Sequence, residues 1–106
     1  MKLEINVLGC GSSSGVPAIG NNWGLCDPNN PKNRRMRSSI LVKNNKTTIL
    51  IDATPDLRQQ LLNANVQHLD AVFITHTHAD HIHGIDDFRY LNFIMKSHIQ
   101  LYASEL

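Results

Sequence analysis

A cluster of metal-ligand side chains directly after a short apolar segment constrains this sequence more than any other feature. His76, His78, Asp80 and His81 fall within six residues, immediately behind residues 70–75 (DAVFIT). The apolar segment predicts a strand buried on both faces. Side chains two residues apart in an extended segment point the same way, so His76 and His78 can hold one ion. Asp80 and His81 would then turn towards a neighbouring point. Imidazole and carboxylate ligands suit zinc, and also manganese or iron.

The alternative interpretation of this segment is a His-rich surface loop in which Asp80 caps a helix. Four ligand-type side chains in six residues at the end of a strand form a denser pattern than such a loop requires. The pattern therefore favours a metal site over the surface loop.

Hydrophobic periodicity predicts strands and helices that alternate along the chain. Strands are expected at residues 2–8, 39–43, 47–52, 70–75 and 99–102, and residues 9–37, rich in glycine, proline and asparagine, form a long loop. Thr54 is the expected N-cap of a helix whose apolar stripe is Leu57, Leu61 and Leu62. A second helix is expected over residues 85–95, with the core-facing side chains Phe88, Phe93, Ile94 and Met95. This order predicts an α/β fold in layers.

Length and composition predict one small domain over residues 1–106. A formal charge of +1 gives no overall electrostatic attraction to nucleic acid or to an anionic membrane. No apolar run approaches the ~18 residues that a membrane span needs. Residues 1–8 (MKLEINVL) carry Glu4 and Asn6 and so do not resemble a secretory signal. A cytoplasmic protein with free thiols at Cys10 and Cys26 is therefore expected.

Several motifs together resemble one enzyme superfamily. Residues 75–87 (THTHADHIHGIDD) are similar to the His-x-His-x-Asp-His motif of the metallo-β-lactamase superfamily. Residues 9–17, 33–39 and 51–62 resemble the phosphoribosyl 1,2-cyclic phosphate phosphodiesterase branch, and the tRNA 3′-processing endonucleases are a more distant neighbour. The resemblance runs over nearly the whole chain. It implies the N-terminal half of an αββα sandwich, with a mixed β-sheet and flanking helices.

The resemblance also implies a site and a chemistry. His76 and His78 would hold a first divalent ion, and Asp80 and His81 a second, with zinc the expected metal and manganese or iron the alternatives. Asp80 would also act in catalysis by orienting a metal-bound hydroxide that attacks a phosphodiester, for which a cyclic ribose phosphate is the branch-level expectation. Nucleic acid is not expected as a substrate. Asp52 would lie behind the ligands and steady the metal loop, or else cap residues 54–57.

The chain departs from the superfamily pattern after His81. Superfamily members are longer, and their later half supplies another His, a bridging Asp and a final His that this sequence does not place. The chain is therefore expected to be inactive or incomplete alone. The alternative is a non-catalytic remnant or split-gene half-domain. A half sandwich leaves an apolar sheet face uncovered, so self-association or a partner chain that supplies the second half is expected.

Two features of the long loop have less direct interpretations. Gly9, Gly11 and Gly15 do not match a nucleotide-binding spacing and predict a tight backbone near the metal site. The basic cluster at residues 34–37 either contacts a substrate phosphate or forms a solvated loop surface, and the second interpretation is favoured.

Overall fold

The fold is a single mixed β-sheet with helices packed on one face, in a computed structural model that describes residues 2–105. The strands are β1 (Glu4–Gly9), β2 (Ser39–Lys43), β3 (Thr48–Ile51), β4 (Ala71–Ile74) and β5 (Gln100–Ala103). The helices are α1 (Leu57–Asn63), α2 (Ala79–Ile82) and α3 (Phe88–Met95), with short 3-10 turns at Pro31–Asn33 and Ile85–Asp87. The predicted α/β class is confirmed. No helix in this described part is both long and apolar enough to cross a bilayer.

The strands lie in the sheet in chain order, from β1 to β5. The first three are antiparallel neighbours. The long first loop joins β1 to β2, and a tight turn joins β2 to β3, where Asn44 Oδ1 accepts hydrogen bonds from the Lys46 and Thr47 amides. β3, β4 and β5 are parallel, and their connections carry the helices. Parallel strands end at the same edge of a sheet, so the residues that come after β3 and β4 meet there.

The hydrophobic core lies between the helices and one face of the sheet. Its largest fully buried apolar side chains are Leu41, Leu50, Leu57, Leu69 and Val72. Phe88 and Leu91 add the inner face of α3. The core also contains one buried amide: Gln60 accepts a hydrogen bond from the Thr54 hydroxyl and donates one to the Arg37 carbonyl. These contacts hold α1 and the connection after β3 against the sheet.

The opposite face of the sheet is apolar and open within the described residues. The strand register places Val7, Ile40, Ile51, Phe73 and Tyr102 in one row across all five strands. The neighbouring row consists of Ile5, Val42, Ile49, Ala71 and Gln100. Ile5 and Val7 are 58% and 64% exposed, and the Phe73 and Tyr102 rings stack at the other end with centroids 5.0 Å apart.

The exposure of this face contradicts the prediction that the strand at residues 70–75 is buried on both faces. The strand at residues 70–75 is buried on one face only, since Phe73 is 40% exposed while Val72 and Ile74 are buried. Its apolar composition is typical of a strand with an apolar layer packed on each face, but no described layer covers its second face.

The predicted helices also differ in their limits and in the faces that they bury. The first begins at Leu57, after a turn at residues 55–56, and the second is divided into the turn Ile85–Asp87 and α3. Leu62, Phe93 and Ile94, predicted as core residues, are exposed. Phe88 and Leu91, three positions apart, occupy the buried face of α3, which turns Phe93 and Ile94 outwards.

Candidate metal centre

The segment after β4 is attached to the end of β3 by backbone contacts. The Ala53 amide donates to the His81 carbonyl at 2.8 Å, and the Gly84 amide donates to the Ala53 carbonyl at 2.9 Å. Gly84 is buried, and a Cβ built on it would overlap the Thr54 carbonyl oxygen. Only glycine permits this approach. The short helix α2, which carries Asp80 and His81, is thereby fixed beside the strand end.

Asp52 links this segment to the strand by side-chain hydrogen bonds. Its carboxylate, 5% exposed, accepts from the Thr75 amide and the Thr75 hydroxyl, each at 2.7 Å, and lies 2.6 Å from His81 Nδ1. Its φ of 69° lies in the left-handed region, which an aspartate adopts more readily than most residues. Such strain persists where surrounding contacts enforce it.

These contacts bear on the two roles that the sequence leaves open for Asp52. The N-cap of α1 is Asp56 and not Thr54 as expected, and the Thr54 hydroxyl accepts from the Asp56 amide at 3.0 Å in the turn before the helix. All hydrogen bonds described for the Asp52 side chain run to Thr75 and His81. A carboxylate on Nδ1 fixes the orientation of an imidazole and leaves Nε2 for another partner.

The four predicted ligands are neighbours at this edge of the sheet. The His76 ring centroid lies 4.0 Å from that of His81 and 4.6 Å from that of His78. His76 Nδ1 is 2.9 Å from the Thr75 hydroxyl, which leaves its Nε2 free of that contact. His81 Nε2 is 3.2 Å from an Asp80 carboxylate oxygen. The donor set matches the ligand preferences of zinc.

Proximity alone does not complete an ion site here. Over residues 2–105, no three His, Cys, Asp or Glu side chains converge in an arrangement that would hold an ion. The structure thus places His76, His78, Asp80 and His81 side by side, whereas their ligation of metal and the catalytic role of Asp80 stay predictions.

Two contributions to this site depend on contacts between residues that are far apart in the sequence. The double contact of Thr75 with Asp52 joins residues 23 positions apart and has no local signal. Gly84 is not singled out by any motif, although a glycine inside an otherwise bulky segment (HIHGID) is the usual sign of close backbone approach.

The glycines of the first loop allow close packing, but against a different segment. A Cβ on Gly11 would lie 2.8 Å from the Met36 carbonyl oxygen, and one on Gly9 would overlap that of Arg37. The tight backbone is confirmed, and its described neighbours are residues 35–37. Arg37 stabilises the packing of the first loop, because it forms an ion pair with Asp56 at 3.1 Å and donates to the Ser13 carbonyl.

Comparisons with known proteins agree with this architecture. The family described as the beta-lactamase superfamily domain matches residues 47–105. A protein of Porphyromonas gingivalis (strain ATCC BAA-308 / W83) named octanoyltransferase is 44% identical over 84 residues, which are 78% of this chain and 17% of that protein. A solved diphosphatase of the PhnP family is 42% identical with a TM-score of 0.91, over 99% of this chain and 42% of that one.

A third similarity concerns the fold alone. Zn(2+)-bound PqqB from Methylobacterium extorquens is 19% identical with a TM-score of 0.60, over 99% of this chain and 46% of that one. This chain thus spans less than half the length of each of these three proteins. This chain belongs to the family described as the beta-lactamase superfamily domain, and it has the N-terminal portion of the metallo-β-lactamase fold.

Proposed function

We propose that the chain carries the metal-binding part of a metal-dependent hydrolase that acts on phosphodiesters. The observation that carries this proposal is the clustering of three imidazole rings and two carboxylates where β3 and β4 end, with His81 oriented by Asp52. His76 and His78 would hold one divalent ion, and Asp80 and His81 a second. Zinc is the metal we favour, with manganese and iron as alternatives.

The chain's own residues would orient the ligands. Asp52 holds His81 Nδ1, and Thr75 contacts His76 Nδ1, so in both rings Nε2 is the nitrogen that would ligate a metal. Asp80 would ligate metal and position the attacking water. When bound, the divalent ions would supply positive charge that lowers the pKa of water and offsets the charge of a phosphodiester.

The substrate class is supported by one comparison. The PhnP-family protein, 42% identical over 99% of this chain, is called a diphosphatase, an enzyme of phosphate chemistry. A cyclic ribose phosphate is the substrate we propose. Nucleic acid is not favoured, because the net charge is only +1. The free thiols of Cys10 and Cys26 favour a cytoplasmic location.

The open sheet face supports a partner. We propose that a polypeptide supplying a second sheet covers the rows of Val7 and Ile5, and that it adds the ligands that complete the ion sites. Two apolar sheet faces pack about 10 Å apart in such sandwiches. More than half of the PhnP-family chain lies beyond the matched part, which is enough for a second layer. The chain alone would then be inactive or incomplete.

Calorimetric titration with zinc chloride tests the metal site. We expect binding to the wild-type chain, about tenfold or more weaker binding for His76→Ala and for His81→Ala, and no change for the control His98→Ala, whose side chain is exposed away from the cluster. Absence of heat and of a thermal shift for the wild type would refute the proposal, as would equal weakening by His98→Ala.

Hydrolysis of bis-p-nitrophenyl phosphate by the zinc-loaded chain tests the enzyme. Turnover that His76→Ala abolishes would show an enzyme that needs no partner. Silence at full metal loading is the result expected of a chain that is incomplete alone, and a non-catalytic remnant would give the same result. Light scattering then distinguishes the two kinds of partner that could cover the open sheet face. A second copy of the chain gives a dimer that Val7→Asn weakens, whereas a stable monomer argues for a different chain.

A further inference from the structure

A cavity of about 370 Å³ at the C-terminal end of β1 is separate from the metal loop. Cys10, Arg34 and Arg35 provide its polar groups, and Val7, Leu8 and Met36 provide much of its apolar wall. None of the four predicted ligands lines it. Nothing in the proposed hydrolase chemistry uses these residues.

Two guanidinium groups line this cavity without a carboxylate partner. Arg37 and Arg89 form ion pairs with Asp56 and Asp86, at 3.1 Å each. Among residues 2–105, no Asp or Glu lies within ion-pair distance of Arg34 or Arg35. Both side chains are exposed, and each also contacts a neutral group of the protein.

Those neutral contacts fix both guanidinium groups. Arg34 lies over the Trp23 ring, 5.2 Å from its centroid, in a cation–π contact. Arg35 Nη1 donates to the Cys10 sulfur at 2.7 Å. The Arg35 backbone is paired with Val16, because its amide donates to the Val16 carbonyl and its carbonyl accepts from the Val16 amide. Two arginines on an anchored backbone lose less conformational entropy on binding a ligand.

We propose that this cavity binds a phosphate monoester, with the dianionic phosphate between Arg34 and Arg35. Guanidinium groups donate paired hydrogen bonds that match phosphate oxygens, and two positive charges in the lining of one cavity favour a dianion over a monoanion. Leu8 and Met36 would contact the carbon part of the ligand, since Val7 belongs to the row that the proposed partner covers. The Cys10 thiol lies at the edge of this site, beside Arg35.

The single tryptophan of the chain provides a direct test, because Trp23 contacts Arg34. Phenyl phosphate and inorganic phosphate are titrated into metal-free protein in EDTA, at constant ionic strength, while tryptophan fluorescence is recorded. We expect a saturable change that Arg35→Gln weakens about tenfold or more. Arg35→Lys keeps the charge but loses the paired N–H donors of the guanidinium group, and it should weaken the binding less. The matched control is Arg89→Gln, which removes an exposed arginine elsewhere.

A second readout uses the two exposed cysteines. Saturating phenyl phosphate should slow alkylation of Cys10 by iodoacetamide and leave that of Cys26 unchanged. The proposal is overturned by a fluorescence change that sodium chloride reproduces, by no saturable change, by equal weakening in Arg89→Gln, or by unprotected Cys10. Since EDTA removes divalent ions, failure here is independent of the outcome of the zinc titration.

Discussion

Replacing Gly84 by alanine tests whether backbone contact holds the metal loop against β3. The alanine Cβ would overlap the Thr54 carbonyl oxygen and would lie 2.8 Å from Leu57 Cβ. Thr54 and Leu57 are both 0% exposed, so neither can move outwards without disturbing the core. Carbon atoms in contact are normally about 3.5–4.0 Å apart. The loop therefore has to retreat by roughly 0.7 Å or more.

The expected destabilisation has two sources. Overpacking of a well-packed interior costs about 1–3 kcal/mol. The same movement weakens the hydrogen bonds from Gly84 to Ala53 and from Ala53 to His81. Each is worth about 0.5–1.5 kcal/mol. The free energy of unfolding should fall by roughly 2–5 kcal/mol, a large share of the stability of a small domain.

Urea denaturation of Gly84→Ala, monitored by circular dichroism, measures this loss. The matched control is His83→Ala, which alters the adjacent exposed position and adds no buried atom. We expect the control to stay within about 0.5 kcal/mol of the wild type. If Gly84→Ala were equally mild, the backbone contact would not be what holds the loop, and the reasoning would fail.

Three further changes test interactions that stabilise the fold. Gln60→Leu leaves the two buried groups bonded to this amide unpaired and should lower the free energy of unfolding in urea by about 2–4 kcal/mol. Arg37→Gln breaks a partly buried ion pair and a bond to a carbonyl, for a loss of about 1–3 kcal/mol in the same assay. The Thr48 amide and then His68 hold the pKa of Asp70 below its ordinary value of 3.8, so its contribution to stability is present above that pH and disappears on further acidification. Asp70→Asn should therefore lower the melting temperature at pH 7 and flatten its fall below about pH 4.

The strands could be predicted from the sequence because their signal is local. Alternation and turn residues determine where a strand can begin and end, and the predicted limits of β2 coincide with those observed. The ligand cluster at residues 76–81 is likewise visible, since its members are close in sequence. Which face of an element is covered is not a local property. Phe73, Phe93 and Ile94 have core-like character, yet they are exposed because no described layer packs on them.

The role of Asp52 shows the same limit at the site itself. Its partners Thr75 and His81 are 23 and 29 residues away, and they meet it only because β3 and β4 are parallel neighbours. The sequence leaves a helix cap and a carboxylate behind the ligands equally open. The choice depends on sheet topology, which periodicity alone does not determine.

The described contacts that order the metal loop come from the end of β3 and from the loop itself. Asp52 fixes the His81 ring, Ala53 fixes its backbone, and Gly84 permits the approach. The entropy of ordering these ligands is thus lost when this sheet folds, and not when further ligands arrive. On the proposed function, a second layer would need to contribute donors and exclude water, but not to orient His81. This division predicts that the orientation of His81 is independent of any partner, and NMR of the imidazole nitrogens in the isolated chain should show Nδ1 bonded to Asp52.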